Sequence, residues 1–99
     1  MMDVQPAAVG LSSATEAGIT ASMAASASSA APALLGATPM GMDGDSAAFA
    51  AALNAAGAAY LATAAEHAGQ RSAYSGAQSL ASATYSAADV ITKSAFLTP

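Results

Sequence analysis

The chain has 99 residues, a formal net charge of −4, one histidine, and neither cysteine nor tryptophan. That length fits one small domain. Its two cations, Arg71 and Lys93, are too few to neutralise a nucleic-acid backbone or to hold an anionic membrane surface. The lack of cysteine excludes a disulfide framework and thiolate metal sites. The apolar fraction is 55%, but Ala supplies 32 of those residues and only 22 are Val, Leu, Ile, Met, Phe or Tyr. Burying a large aliphatic side chain is worth about 1.5–3 kcal/mol, and Ala is worth much less. A domain so composed is marginal alone, and gains stability from a partner or from copies of itself.

The first predicted element is a helix over about 3–31. Asp3 is the expected N-cap, which puts Pro6 in the first turn, where its missing N–H costs little. Ala8, Leu11, Thr15, Ile19, Ser22 and Ser26 make a stripe of helical period. Most of it is small, which suits close helix–helix approach more than a thick core. A loop follows over about 32–45, where Pro32, Gly36, Pro39, Gly41 and Gly44 break helical structure. Leu34, Leu35, Met40 and Met42 give the loop apolar content, either to fold over the end of a hairpin or to serve as an exposed docking patch.

The second predicted helix runs over about 46–95, capped at Asp45 or Ser46, with Asp43 and Asp45 at the positive end of its dipole. Phe49, Leu53, Ala56, Tyr60, Ala64, His67, Arg71 and Tyr74 follow helical spacing. Fifty helical residues span roughly 75 Å and the first helix about 40 Å, so the second must overhang, bend or fray. Gly69 and Gly76 are the expected weak points, since Gly costs about 1 kcal/mol inside a helix. Nothing alternates as a strand does. The expected fold is all-α: an antiparallel two-helix hairpin, one domain over 1–99, with a long second helix and a partly flexible C-terminus.

Little in the chain offers chemistry. His67 beside Glu66 could suggest a hydrolase, but adjacent helical residues point apart and no Gly-rich nucleophile turn exists. Asp43-Gly44-Asp45 lacks the series of oxygen ligands of a calcium loop and reads as capping. No catalytic residue, metal site or cofactor is expected. The uncharged run from Ala47 to Ala65 has the length of a membrane span, yet only Phe49, Leu53, Tyr60 and Leu61 are strong members and Asn54 interrupts it, so no stable membrane insertion is expected. A secretory signal peptide needs a basic region before its apolar stretch, and the first cation here is Arg71.

One pair stands out against the Ala, Ser and Gly background. Tyr85 and Asp89 are four apart, so a phenol and a carboxylate share one helical face. Physical chemistry alone allows a bland reading: a half-buried ring, and an acid in the favourable order for a helix pair with Lys93. Val4-Gln5-Pro6 with Gly10-Leu11, Phe49 with Leu53-Asn54, and Tyr85-Ser86-Ala87-Ala88-Asp89 together make the chain resemble actinobacterial substrates of type VII (ESX) secretion, most closely the EspC family of ESX secretion-associated proteins. Ala50 stands where that family often has Asn. The related PE proteins have an early Pro-Glu where Pro6-Ala7 stands here, and the WXG100 branch has a Trp-x-Gly turn that this chain lacks.

The resemblance implies a non-enzymatic, virulence-associated protein of mycobacteria and their relatives, exported to the cell surface or beyond without a cleavable signal peptide. It implies that Tyr85 and Asp89 are part of the export signal. It implies as partners the secretion machinery and a co-secreted helical protein, or else a second copy of the chain. Phe49, Leu53, Tyr60, Leu11 and Ile19 are the expected partner-binding residues. The alternative is a self-assembling structural or surface protein in which Tyr85 and Asp89 only pack.

Overall fold

The computed structural model describes residues 3–97. Two helices account for nearly all of them: α1, Pro6–Leu35, and α2, Gly44–Leu97. Among the described residues there is no strand.

Helix α1 starts three residues later than its expected cap. The amides of Ala8 and Val9 both donate to the carbonyl of Gln5, at 3.0 and 3.2 Å, so Gln5 is the cap residue and Pro6 the first helical position. Pro is favoured there because its fixed φ suits a helix and its absent N–H would have had no partner. Asp3 is instead occupied by its neighbour: Gln5 Nε2 donates to Asp3 Oδ1 at 3.3 Å.

The helix also ends later than expected, with Pro32 inside its last turn. Pro32 has no N–H to donate to the Ser28 carbonyl one turn back, and the helix continues for only three residues past it. Gly36 then ends the helix. A Cβ at that position would lie 2.5 Å from the Pro32 carbonyl oxygen.

Helix α2 begins at Gly44, because its cap is Asp43 and not Asp45 or Ser46. The Ser46 amide donates to Asp43 Oδ2 at 3.1 Å, and the Ser46 hydroxyl donates to Asp43 Oδ1 at 2.8 Å. This satisfies one of the orphan donors of the first turn. The helix then runs unbroken through Gly69 and Gly76 to Leu97.

The contacts group into two compact units: residues 3–19 with 70–97, and Thr20–Gly69. In each, a segment of α1 lies against a segment of α2 running the other way, which makes an antiparallel two-helix hairpin. In the first unit Pro6 meets Ser82, Ser13 meets Ser75 and Glu16 meets Arg71. In the second, Leu34 meets Gly57 and Ala37 meets Asn54.

The helices do not meet along the stripes that size and hydropathy suggest. In residues 20–69 the covered positions of α2 past its first turn are Ala50, Asn54, Gly57, Leu61, Ala64 and Ala68, and in the other unit Arg71, Ser75, Gln78, Ala81 and Ser82. From Ala50 to Gln78 steps of four and three alternate, the spacing of a narrow coiled-coil seam. Phe49, Tyr60 and Tyr74, which follow helical spacing in the sequence, are exposed. Each precedes a seam residue by one, and is therefore turned about 100° away from it.

Among the described residues the one buried hydrophobic side chain is Ala50, 5% exposed, while Ser13, Thr20 and Ser75 are buried polar residues. The reason is backbone proximity. Ser13 Oγ donates to the Ser75 carbonyl at 2.7 Å and Ser75 Oγ donates to the Ser13 carbonyl at 2.8 Å. A carbonyl oxygen has two lone pairs, so it accepts this bond beside its helical one. Ser82 Oγ donates likewise to the Pro6 carbonyl at 2.7 Å. A hydroxyl this short reaches the opposite backbone only if nothing larger separates the helices.

Candidate functional site

Three exposed features emerge from this packing: the C-terminal part of α2, a row of large apolar side chains, and a cleft near the start of α2.

The first is set by register. Ser82 is bonded to Pro6, the first residue of α1. Everything in α2 after Ser82 therefore extends past the start of the helix that covers it, an overhang of about 22 Å at 1.5 Å per residue. Tyr85 and Asp89 lie on this overhang, both exposed, Tyr85 at 38%. The continuous helix keeps them on one face. The ion pair that Lys93 would offer Asp89 is not formed: among the described residues the carboxylate–cation pair is Arg71 with Glu16, at 2.8 Å. Val90, Ile91, Phe96 and Leu97 are exposed on the same overhang. Sequence reading had not marked these four for partner contact. Their signal was large residues spaced without regard to a single helical face.

The second feature contains the five residues expected to bind a partner. Phe49, Leu53, Tyr60, Leu11 and Ile19 are all exposed, Phe49 at 65%. Leu11 and Ile19 belong to one unit, and Phe49, Leu53 and Tyr60 to the other. Phe49, Leu53 and Tyr60 in α2 are four and seven apart and share a face. Leu11 and Ile19 in α1 are eight apart, about 80° of rotation.

The third feature is a cleft of about 400 Å³, lined by Ala37, Thr38, Met40, Asp45, Ser46, Phe49, Ala50 and Leu53. Asn54 shapes it from outside. Its amide donates to the Ala37 carbonyl at 3.0 Å while its oxygen accepts the Ala37 amide at 2.8 Å. That paired bond straps the loop to the third turn of α2, as one rung of a β-ladder would. Sequence reading took Asn54 as an interruption of an apolar run and as part of the resemblance at Leu53-Asn54, not as a strap, because a long-range strap has no local signature. Met40 is 99% exposed at the edge of the cleft.

Electrostatically the molecule is quiet. The Ser46 hydroxyl, and then the Ser46 amide, hold the Asp43 carboxyl below the usual carboxylate range. Arg71 is engaged by Glu16, which leaves no basic patch. His67 is exposed beside Glu66, and no group of three or more His, Asp or Glu side chains among the described residues could hold a metal. Among those residues one helix, α2, is long and apolar enough to cross a membrane, with an 18-residue stretch of mean hydropathy 1.4, 11% buried.

Comparison with family models, with curated proteins and with solved structures gives no match.

Proposed function

We propose that this chain is a non-enzymatic EspC-like substrate or accessory of an actinobacterial type VII secretion system, delivered to the cell surface or beyond and working through helix–helix contacts. The observation that carries the reading is the position of Tyr85 and Asp89. They occupy one face of the part of α2 that α1 does not cover. A recognition component of the export machine can approach a phenol and a carboxylate there without unfolding the hairpin.

The apolar side chains support the same class of protein. An isolated hairpin that buries Ala50 and exposes Phe49, Leu53, Tyr60 and Tyr74 has placed its main hydrophobic capital outside, where a partner is needed to use it. Insertion of α2 into a membrane is less favoured. From Ala47 to Ala65 only Phe49, Leu53 and Leu61 belong to the residues that contribute about −0.3 to −0.6 kcal/mol each at a bilayer centre. Asn54 opposes them.

Tyr85→Ala and Asp89→Ala are expected each to abolish export while the cytoplasmic level of the protein stays at wild type. Normal culture-filtrate levels of both variants would sink the signal assignment. The alternative, a self-assembling structural protein, draws on the same exposed side chains. It predicts a concentration-dependent polymer of the pure protein in light scattering and no effect of either variant on localisation.

A further inference from the structure

The face of α2 that meets α1 does not stop where α1 does. At about 100° per residue, Tyr85, Asp89 and Phe96 fall within about 40° of the line that also carries Arg71, Ser75 and Ser82. The last three turn that face to α1, through bonds to Glu16, Ser13 and Pro6. Past Ser82 the face runs on beyond the start of α1, and there Tyr85 and Phe96 are exposed, Phe96 at 86%. Val90, Ile91 and Leu97 point about 80° or more away from the line. The overhang therefore presents an unfilled continuation of an interface that the fold already uses.

The chemistry of this continuation is self-complementary. Positions 82, 85, 89, 92 and 96 keep the alternating steps of three and four of a helix–helix seam. Laid antiparallel in that spacing on a second copy, Tyr85 of one chain meets Phe96 of the other. Asp89 meets Thr92, whose hydroxyl can donate to the carboxylate. Each contact occurs twice, as a two-fold interface requires. Asp89 and Lys93 are the two charges between Ala83 and Leu97. Asp89 lies inside α2, far from its N-terminus, so neither a cap bond nor the positive end of the dipole complements it. In the antiparallel pair Lys93 comes level with Asp89 of the other copy, to within about 1.5 Å along the axis. A parallel pair would set acid on acid and cation on cation. A polar seam is also what the hairpin itself shows, where Ser13 meets Ser75 and Glu16 meets Arg71.

We propose that two copies of the chain pair antiparallel through their overhangs, each filling the length of seam that α1 leaves open on the other. This surface is separate from the one that carries Phe49, Leu53 and Tyr60, which belong to the other unit. The inference does not depend on the export reading. Where that reading holds, pairing hides Tyr85 and Asp89 until the two copies separate.

Sedimentation velocity of the full chain over a range of concentrations measures the pairing, with circular dichroism at 222 nm to check that each variant keeps its helix. A monomer–dimer equilibrium is expected. Tyr85→Ala and Phe96→Ala should each weaken it about tenfold, as loss of an apolar anchor does, and Ile91→Ala, on another face, should leave it unchanged. Asp89→Lys and Lys93→Asp should each weaken self-pairing, because like charges then face one another. An equimolar mixture of those two variants should recover a dimer, since one chain then carries only cations on this face and the other only acids. Nitroxide labels at Ser79→Cys should lie about 35 Å apart along the helix axis in an antiparallel pair. Labels side by side would mean a parallel pair and overturn the proposal. So would a monomer at every concentration, a mixture that fails to pair, or a dimer that Phe49→Ala dissolves and Phe96→Ala does not.

Discussion

Replacing Gly57 by Ala sets two terms against each other, and the geometry decides between them. Ala inside a helix is more favourable than Gly by about 0.8–1 kcal/mol. At Gly57, however, the new Cβ would collide with the carbonyl oxygen of Leu34, with the Leu34 carbonyl carbon at 2.8 Å and its Cβ at 3.2 Å. The first of these neighbours is backbone and cannot rotate aside. Either the last turn of α1 retreats or α2 bends, and overpacking of this kind costs about 1–3 kcal/mol, occasionally more. The collision is severe, so the upper part of that range applies, and a net loss of about 1–2 kcal/mol is expected after the propensity gain is subtracted. In a domain of this size each kcal/mol moves Tm by about 4–8 °C. Gly69 and Gly76 supply the internal control. A Cβ at either meets nothing within 4 Å, so Ala there keeps the propensity gain and should raise stability by about 0.5–1 kcal/mol. Thermal and urea unfolding followed by circular dichroism at 222 nm reads all three variants. A Gly57→Ala protein as stable as wild type would refute the close approach of α2 to Leu34. A Gly69→Ala protein that loses stability alongside it would refute the argument that contact decides the sign.

The remaining predictions concern the seam and the cap. Ser75→Leu removes the bond from the Ser75 hydroxyl to the Ser13 carbonyl and forces a large side chain between the helices, and should cost about 2 kcal/mol or more in urea unfolding. Ser79→Leu, at an exposed position of the same helix, should stay within about 0.5 kcal/mol of wild type. At Asp43 the folded-state pKa lies below its unfolded value, so the cap's contribution is complete above the ordinary carboxylate range and is lost as pH falls through the depressed folded value. The protection of the Ser46 amide, its exchange rate relative to the intrinsic rate at each pH, should therefore fall in acid. Asp43→Asn, which keeps an acceptor but cannot titrate, should remove that acid-dependent step.

Much of the chain's local structure could be read without coordinates. Ala-rich runs without alternation mean helix, and the Gly and Pro cluster between Pro32 and Gly44 marks the turn of the hairpin. The errors at the ends come from competition among neighbouring polar residues. Asp3, Asp43, Asp45 and Ser46 are all good caps by type, and only the actual bonds show that Gln5 and Asp43 hold those positions. Pro32 misled for a similar reason, since a proline one turn before a helix end resembles one just after it. The candidate site was half legible. The Tyr85–Asp89 spacing is visible in the sequence, whereas the cleft is not, because Met40, Asp45 and Leu53 meet only through the strap that Asn54 makes to Ala37.

The sequence by itself determined the class of the molecule: helical, acidic, poor in large side chains, and with a phenol and a carboxylate four apart near the end of its second helix. It did not determine which faces would meet. The few large side chains are periodic, but the Ala, Ser and Gly between them are small in every direction, so the period in size and hydropathy does not mark the contact side. Backbone approach chose that side, since only there do the hydroxyls of Ser13, Ser75 and Ser82 reach the opposite carbonyls, and only there does Gly57 clear Leu34. That choice turned Phe49, Tyr60 and Tyr74 outward. The same register bonded Ser82 to Pro6, and thereby left Tyr85 and Asp89 on the part of α2 that its partner helix does not cover.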